Sequence, residues 1–184
     1  ISKKSGFFAK FLKLLLFYFS KYIYSIEKYI TAEFDLKNDI MFRKIDDCFS
    51  VYKITPDNIN EFRTVGNFTK EKLFRERIRG DYIGFMIKDN SGRIAGYSWI
   101  VTSNYFSYLV NRLFTLQKGR EAYLVDDYIF ENFRGRGIQT YITGYRLSYL
   151  KSQGYSKILV SYNVNNEFSR RNFLKNGFIE KELT

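Results

Sequence analysis

The chain has 184 residues, 45% hydrophobic and 27% charged, the size and composition of one folded domain with a short appendage, with no need of a disulfide or metal staple. The absence of histidine excludes a Ser-His-Asp triad, a Cys-His pair and imidazole metal ligands, and the lone Cys48 reads as a small half-buried residue rather than a nucleophile. A net charge of +11 favours an anionic partner: nucleic acid, an acidic membrane surface or a polyphosphate cofactor.

Ile1 in place of methionine reads as a trimmed or processed N-terminus. Residues 6–33 contain no proline and predict one long helix. At about 100° per residue, Lys10, Lys13, Lys21 and Lys28 fall within an arc of about 80°, while Phe7, Phe11, Leu15, Phe19, Ile23 and Ile30 share the remaining surface. The longest charge-free stretch, Leu14 to Ser20, is far short of the ~20 residues that a membrane span needs, and the segment lacks the cleavage site of a signal peptide. A wide apolar face with a narrow lysine stripe suits an interfacial helix on an anionic membrane; packing on its own domain or on a second copy is the competing reading.

From about residue 48 the pattern changes to short alternating strands and helices. Ser50 to Ile54 predicts a strand, and Thr55-Pro56 a capped helix start. Thr69 to Arg79 predicts a helix, then Tyr82 to Lys88 and Arg93 to Thr102 predict two strands joined by the turn Asp89-Asn90-Ser91-Gly92. Tyr105 to Leu116 is aromatic-rich and carries no assignable pattern. Ala122 to Phe130 predicts a strand, and Gly137 to Gln153 a helix with Ile138, Ile142, Tyr145 and Tyr149 on one face and Gly154 as its stop. Ile158 to Tyr162 predicts a strand and Glu167 to Asn176 a helix ended by Gly177, with Phe178 opening a last strand. The expected organisation is an amphipathic basic helix over residues 1–35 followed by one α/β domain over residues 36–184.

The informative segment is the passage from a strand through Arg134-Gly135-Arg136-Gly137 directly into a helix. Two glycines let the backbone turn tightly and approach a ligand, and the free N–H groups of a first helical turn form an anion site. Arg134 and Arg136 add charge where phosphates would sit. The segment lacks the GK[ST] of a nucleoside-triphosphate loop and the third glycine of a dinucleotide fingerprint.

This segment resembles the acyl-CoA motif of the GNAT superfamily of N-acyltransferases, Gln/Arg-x-x-Gly-x-Gly/Ala, at Arg134, Gly137 and Gln139. A second feature of that family, Asn-x-x-Ala/Ser followed by an aromatic and Gly-Phe, is matched by Asn166, Ser169, Phe173, Gly177 and Phe178. The resemblance covers roughly residues 48–184. It implies a mixed, mostly antiparallel central sheet flanked by helices, here with the extra N-terminal helix. It also implies acetyl-CoA, or another acyl-CoA, as co-substrate with no metal. The backbone of Asp127, Tyr128 and Ile129 would pair with the pantetheine arm. Gly135, Arg136, Gly137, Ile138, Gln139 and Thr140 would hold the pyrophosphate through main-chain N–H groups. Asn166 would touch the pantetheine or the adenylate side. The reaction would be direct attack by an amine on the thioester.

Three positions depart from the family pattern. Gln139 replaces a Gly/Ala, Phe173 stands on the cofactor side where many members carry a tyrosine acid, and Ser161 stands where some protein-acetylating members carry a glutamate base. The remaining candidates for the base are the adjacent Asp126 and Asp127, one of which should face the cleft; a bulge would exchange them. Tyr123 and Tyr128 are secondary catalytic candidates, with packing as their competing role.

The reading is therefore an N-acetyltransferase acting on a primary amine of a small molecule such as an amino sugar. The alternatives are a membrane-associated enzyme using long-chain acyl-CoA or acyl carrier protein, and a non-catalytic acyl-CoA-binding module. No nucleic-acid partner is expected, because the positive charge is not gathered into a reading motif. The expected location is cytoplasmic, with peripheral contact at the inner face of the membrane through residues 6–33 as the alternative. Family members usually add one more strand after the one opened by Phe178, so the sheet is expected to be trimmed or completed by a partner, which suggests a homodimer.

Overall fold

The computed structural model describes residues 28–41, 45, 48–65, 68–80 and 82–183. The predicted helix over residues 6–33 therefore lies mostly outside the described residues, and where the chain enters view the prediction fails. Tyr29–Asp35 is a strand, β1, with Ile30, Ala32 and Phe34 buried on one face. That period-two alternation of β-branched and aromatic residues is strand chemistry. The boundary at residue 35 moves with it, because β1 is an interior strand of the domain's sheet.

The remaining strands are β2 (Phe49–Lys53), β3 (Tyr82–Asp89), β4 (Ile94–Val101), β5 (Tyr105–Ser107), β6 (Arg112–Phe114), β7 (Glu121–Ile129), β8 (Lys157–Asn163) and β9 (Ile179–Leu183). Among the described residues the α-helices are α1 (Phe68–Arg79), α2 (Ile138–Ser152) and α3 (Glu167–Lys175). The helix predicted from Thr55-Pro56 is a 3-10 segment that starts later, at Ile59–Val65, after Asn58 has folded back to accept from the Thr55 N–H. The large sheet runs β2-β3-β4-β7-β8-β1-β9, and only the β7–β8 pair is parallel. This is the mixed, mostly antiparallel sheet flanked by helices that the resemblance implies. The chain's own β1 sits between β8 and β9, and β9 lies at the edge of the sheet.

All eight residues of β4 are buried, so the sheet is covered on both faces at its centre. One face packs against α2 and α3 through Phe34, Ile100, Leu124, Ile142, Leu147 and Val160. On the other face the 3-10 segment and α1 bring Ile59, Phe62 and Phe74 against Tyr97 and Trp99, and the β5–β6 hairpin covers Val101 and Tyr123 with Val110 and Phe114. The unassigned stretch Tyr105 to Leu116 is thus a small hairpin capping the sheet beside β7.

Two interruptions of regular pairing prepare the site. β7 and β8 pair only from Glu121↔Lys157 to Leu124↔Val160, after which β7 stays with β4 and β8 stays with β1. The two parallel strands therefore part at the middle of the sheet and leave a V-shaped opening. At the same level β7 is bulged: Tyr97 pairs with Tyr128 and Trp99 with Val125, so Asp126 and Asp127 both oppose Ser98. Asp126 takes a left-handed conformation at φ 47° to accommodate the extra residue.

Candidate active site

The bulge sends the two neighbouring carboxylates to opposite faces, and each meets an arginine. Asp127 is gripped by Arg146 of α2 in a bidentate pair of 2.7 and 2.6 Å. The Arg146 side chain is fully buried and also donates to the Trp99 carbonyl at 3.1 Å. Burial pushes the Asp127 carboxyl up against the pull of Arg146. Geometry decides its role: both oxygens are held by one guanidinium, so Asp127 anchors the bulge and is not free to collect a proton. Asp126 pairs with Arg77 of α1 at 2.6 Å, keeps 34% of its side chain exposed, and lines the opening.

Within the opening lies a cavity of about 150 Å³. Leu124 to Asp127 form one wall and Val160, Ser161 and Tyr162 the other, with Tyr105, Ser107 and Leu109 of the hairpin as a lid. Its polar lining is a run of hydroxyls. Tyr123 shares hydrogen bonds with Ser107 and Ser161, and Ser161 lies 3.0 Å from the Thr31 hydroxyl. Burial pushes the Tyr123 phenol up to about 12 despite those bonds, so it is a protonated donor at neutral pH. Tyr162 is committed elsewhere, donating to Glu180 at 2.9 Å. Phe173 is buried and stacks on the Tyr162 ring at 5.5 Å, forming the apolar floor of this cavity rather than part of the larger cleft.

The larger cleft, of about 1050 Å³, adjoins this cavity through Asp127, Gln139 and Ser169. It runs along Tyr128 and Ile129 and over the start of α2, from Arg134 through Thr140, to Asn166 at the N-cap of α3. Gly135 and Gly137 have φ of 79° and 76°, the left-handed turn that brings the strand into the helix. The first helical bond runs from the Tyr141 N–H to Gly137, so the N–H groups of Ile138, Gln139 and Thr140 precede it. Arg134, Arg136, Arg171 and Lys175 line the same cleft. Unspent amides, a positive helix end and flanking guanidiniums make a fit for a pyrophosphate. Gln139 lines both the cleft and the smaller cavity. Asn166 is already used: its side-chain oxygen caps α3 by accepting from the Ser169 N–H at 3.1 Å, leaving its NH₂ to face a ligand.

Every predicted site residue lines one of the two openings. Sequence reasoning missed Arg146, Arg77 and the hairpin hydroxyls. Arg146 was detectable: it sits four residues from both Ile142 and Leu150, on the buried face of α2, where a cation needs an anionic partner. The hairpin gave no such signal, because Ser107 is polar and points inward.

Known structures share this fold. The tandem GNAT protein from the clavulanic acid biosynthesis pathway superposes with TM-score 0.64 at 15% identity, over 86% of this chain and 52% of that one. A GCN5-related N-acetyltransferase from Sphaerobacter thermophilus gives 0.63 at 11% identity, over 92% and 53%. The glucosamine N-acetyltransferase region of a fungal multi-domain β-N-acetylglucosaminidase gives 0.63 at 17% identity, over 93% and 22%. The chain spans about half the length of the first two proteins and about a fifth of the third. No curated protein matches it in sequence. The model of the acetyltransferase (GNAT) family matches residues 43–178, the span that holds the parted strands, the bulge and the glycine turn, and the chain belongs to that family.

Proposed function

We propose that this protein transfers an acetyl group from acetyl-CoA to the primary amine of a small molecule such as an amino sugar. The observation that carries the reading is the opening between β7 and β8, which shares Asp127, Gln139 and Ser169 with the cleft over the amide-lined turn before α2. Gly135 to Thr140, with Arg134 and Arg136, would hold the pyrophosphate; the backbone of Tyr128 and Ile129 would run along the pantetheine. The cavity of about 150 Å³ suits a short acyl group, which favours acetyl over a long chain. The fungal glucosamine-acetylating neighbour supports the amino-sugar choice at the level of fold alone.

The amine nitrogen forms a bond to the thioester carbon, the carbon–sulfur bond breaks, and one proton leaves nitrogen while sulfur gains one. Asp126 is the carboxylate with an exposed edge and takes the first proton through water. Tyr123 supplies the second to the thiolate, in place of the tyrosine absent at Phe173, and its hydroxyl neighbours hold it in position. The test is release of the CoA thiol across a panel of amino sugars, polyamines and lysine peptides. The expected result is turnover on at least one amino sugar; binding of acetyl-CoA without turnover on any amine would overturn the enzymatic reading. For Tyr123→Phe we expect kcat to fall by about 10²-fold with the KM for acetyl-CoA within about twofold, because the contribution is to proton transfer and not to binding.

Homodimer formation through β9, which lies at one edge of the sheet, belongs to the same proposal. A monomer in solution scattering would overturn it.

A further inference from the structure

The β5–β6 hairpin presents two different faces. Inward, Ser107, Val110 and Phe114 are buried against the sheet. Outward, Phe106, Tyr108, Leu109 and Leu113 stand 40%, 88%, 53% and 57% exposed, with Phe106 and Tyr108 in edge contact at 5.0 Å. Four large apolar side chains on one short hairpin form a contiguous patch, unlike the scattered apolar residues of an ordinary surface. Charge marks the same region: residues 102–120 carry Arg112, Lys118 and Arg120, all exposed, and no Asp or Glu.

The hairpin also stands where the N-terminal segment enters the domain. Tyr29, the first residue of β1, packs against the cluster that holds Val110 and Phe114, so Lys28 emerges beside the hairpin. The preceding sequence repeats the hairpin's chemistry, with Lys3, Lys4, Lys10, Lys13, Lys21 and Lys28 against the single acid Glu27. An exposed apolar face flanked by Arg112, Lys118 and Arg120 is complementary to a surface that is apolar beneath and anionic above.

We infer that the outward face of the β5–β6 hairpin is a docking surface for an anionic lipid bilayer. Phe106 and Leu113 enter the acyl boundary, Tyr108 lies at headgroup level, and Arg112 and Lys118 meet the lipid phosphates. The inner side of the same hairpin supplies Tyr105 and Ser107 to the small cavity, so docking sets the mouth of that cavity beside the bilayer. The inference does not depend on the acyltransferase reading, since its readout is lipid binding.

The test is co-sedimentation of the full chain with phosphatidylglycerol-containing vesicles and with phosphatidylcholine vesicles. Expected is pelleting with the anionic vesicles alone, weakened at about 0.5 M salt, where screening shortens the reach of the charges. For Tyr108→Ser/Leu113→Ser the partition coefficient is expected to fall about tenfold, while the acetyl-CoA-induced thermal shift is retained. Lys118→Glu, on an exposed turn where folding is not at stake, is expected to lower partition about fivefold. Wild-type protein left in the supernatant with anionic vesicles would overturn the inference, as would wild-type pelleting by both variants. Conversion of a dimer to a monomer by Tyr108→Ser/Leu113→Ser with unchanged pelleting would also overturn it, assigning the patch to a second copy.

Discussion

Arg146→Met is expected to lower the unfolding free energy by about 3–5 kcal/mol, because it leaves the Asp127 carboxylate buried without its partner. The guanidinium is fully buried and the Asp127 side chain is 11% exposed, so water cannot replace the two bonds that are lost. The same change strips a donor from the Trp99 carbonyl at the level of the bulge. Urea denaturation at neutral pH measures the loss. Its pH dependence identifies the cause. An unpaired buried carboxyl has a folded pKa above its unfolded value, so the folded state holds more protons. Stability of the variant then falls as pH rises through that folded pKa, and the gap to wild type closes toward acid. A loss independent of pH would assign the effect to packing of the arginine stem. Pairing the change with Asp127→Leu removes both charges and should recover most of the stability, with the bulge left to be held by packing alone.

How much of this was legible in the sequence differs from one element to the next, for local reasons. The strand, turn and helix from Ala122 to Gln153 were readable because glycine at 135 and 137, charge at 134 and 136, and a helical apolar face say the same thing independently. β1 was lost although Ile30, Ala32 and Phe34 alternate as a strand should, because a long proline-free run with helical periodicity precedes it and no breaker separates the two. Its destination between β8 and β9 is a long-range pairing, which leaves no local mark. The adjacent Asp126 and Asp127 were legible as a pair but not as individuals. Only the bulge decides that Asp127 turns to Arg146 and Asp126 to Arg77, and a bulge here needs the register of β4 against β7. The setting of Tyr123 is hidden for the same kind of reason: its neighbours Ser107 and Ser161 come from strands far apart in sequence.

The second large effect is expected at the glycine turn. Gly137→Trp should weaken acetyl-CoA binding by about 10²-fold or more, through two separable causes. The residue sits at φ 76°, where any L side chain is strained by about 1–2 kcal/mol. Its Cβ would lie 4.0 Å from Ile45, another residue lining the large cleft, so an indole there occupies the space over the amides of Ile138 to Thr140. Gly137→Ala carries the strain without the bulk and should cost stability while weakening binding only about threefold to tenfold. Gly119→Trp imposes comparable strain at φ 71° on an exposed turn that does not line the cleft, and should leave binding unchanged. Calorimetric titration of acetyl-CoA into the three variants at one temperature separates the causes. Binding lost only in Gly137→Trp places the pyrophosphate over the first turn of α2. Equal affinity for wild type and Gly137→Trp would remove that turn from the site and with it the roles given to Arg134 and Arg136. Asp126 and Tyr123, which line the opening between β7 and β8, would remain as a reaction centre in need of a differently held acyl donor.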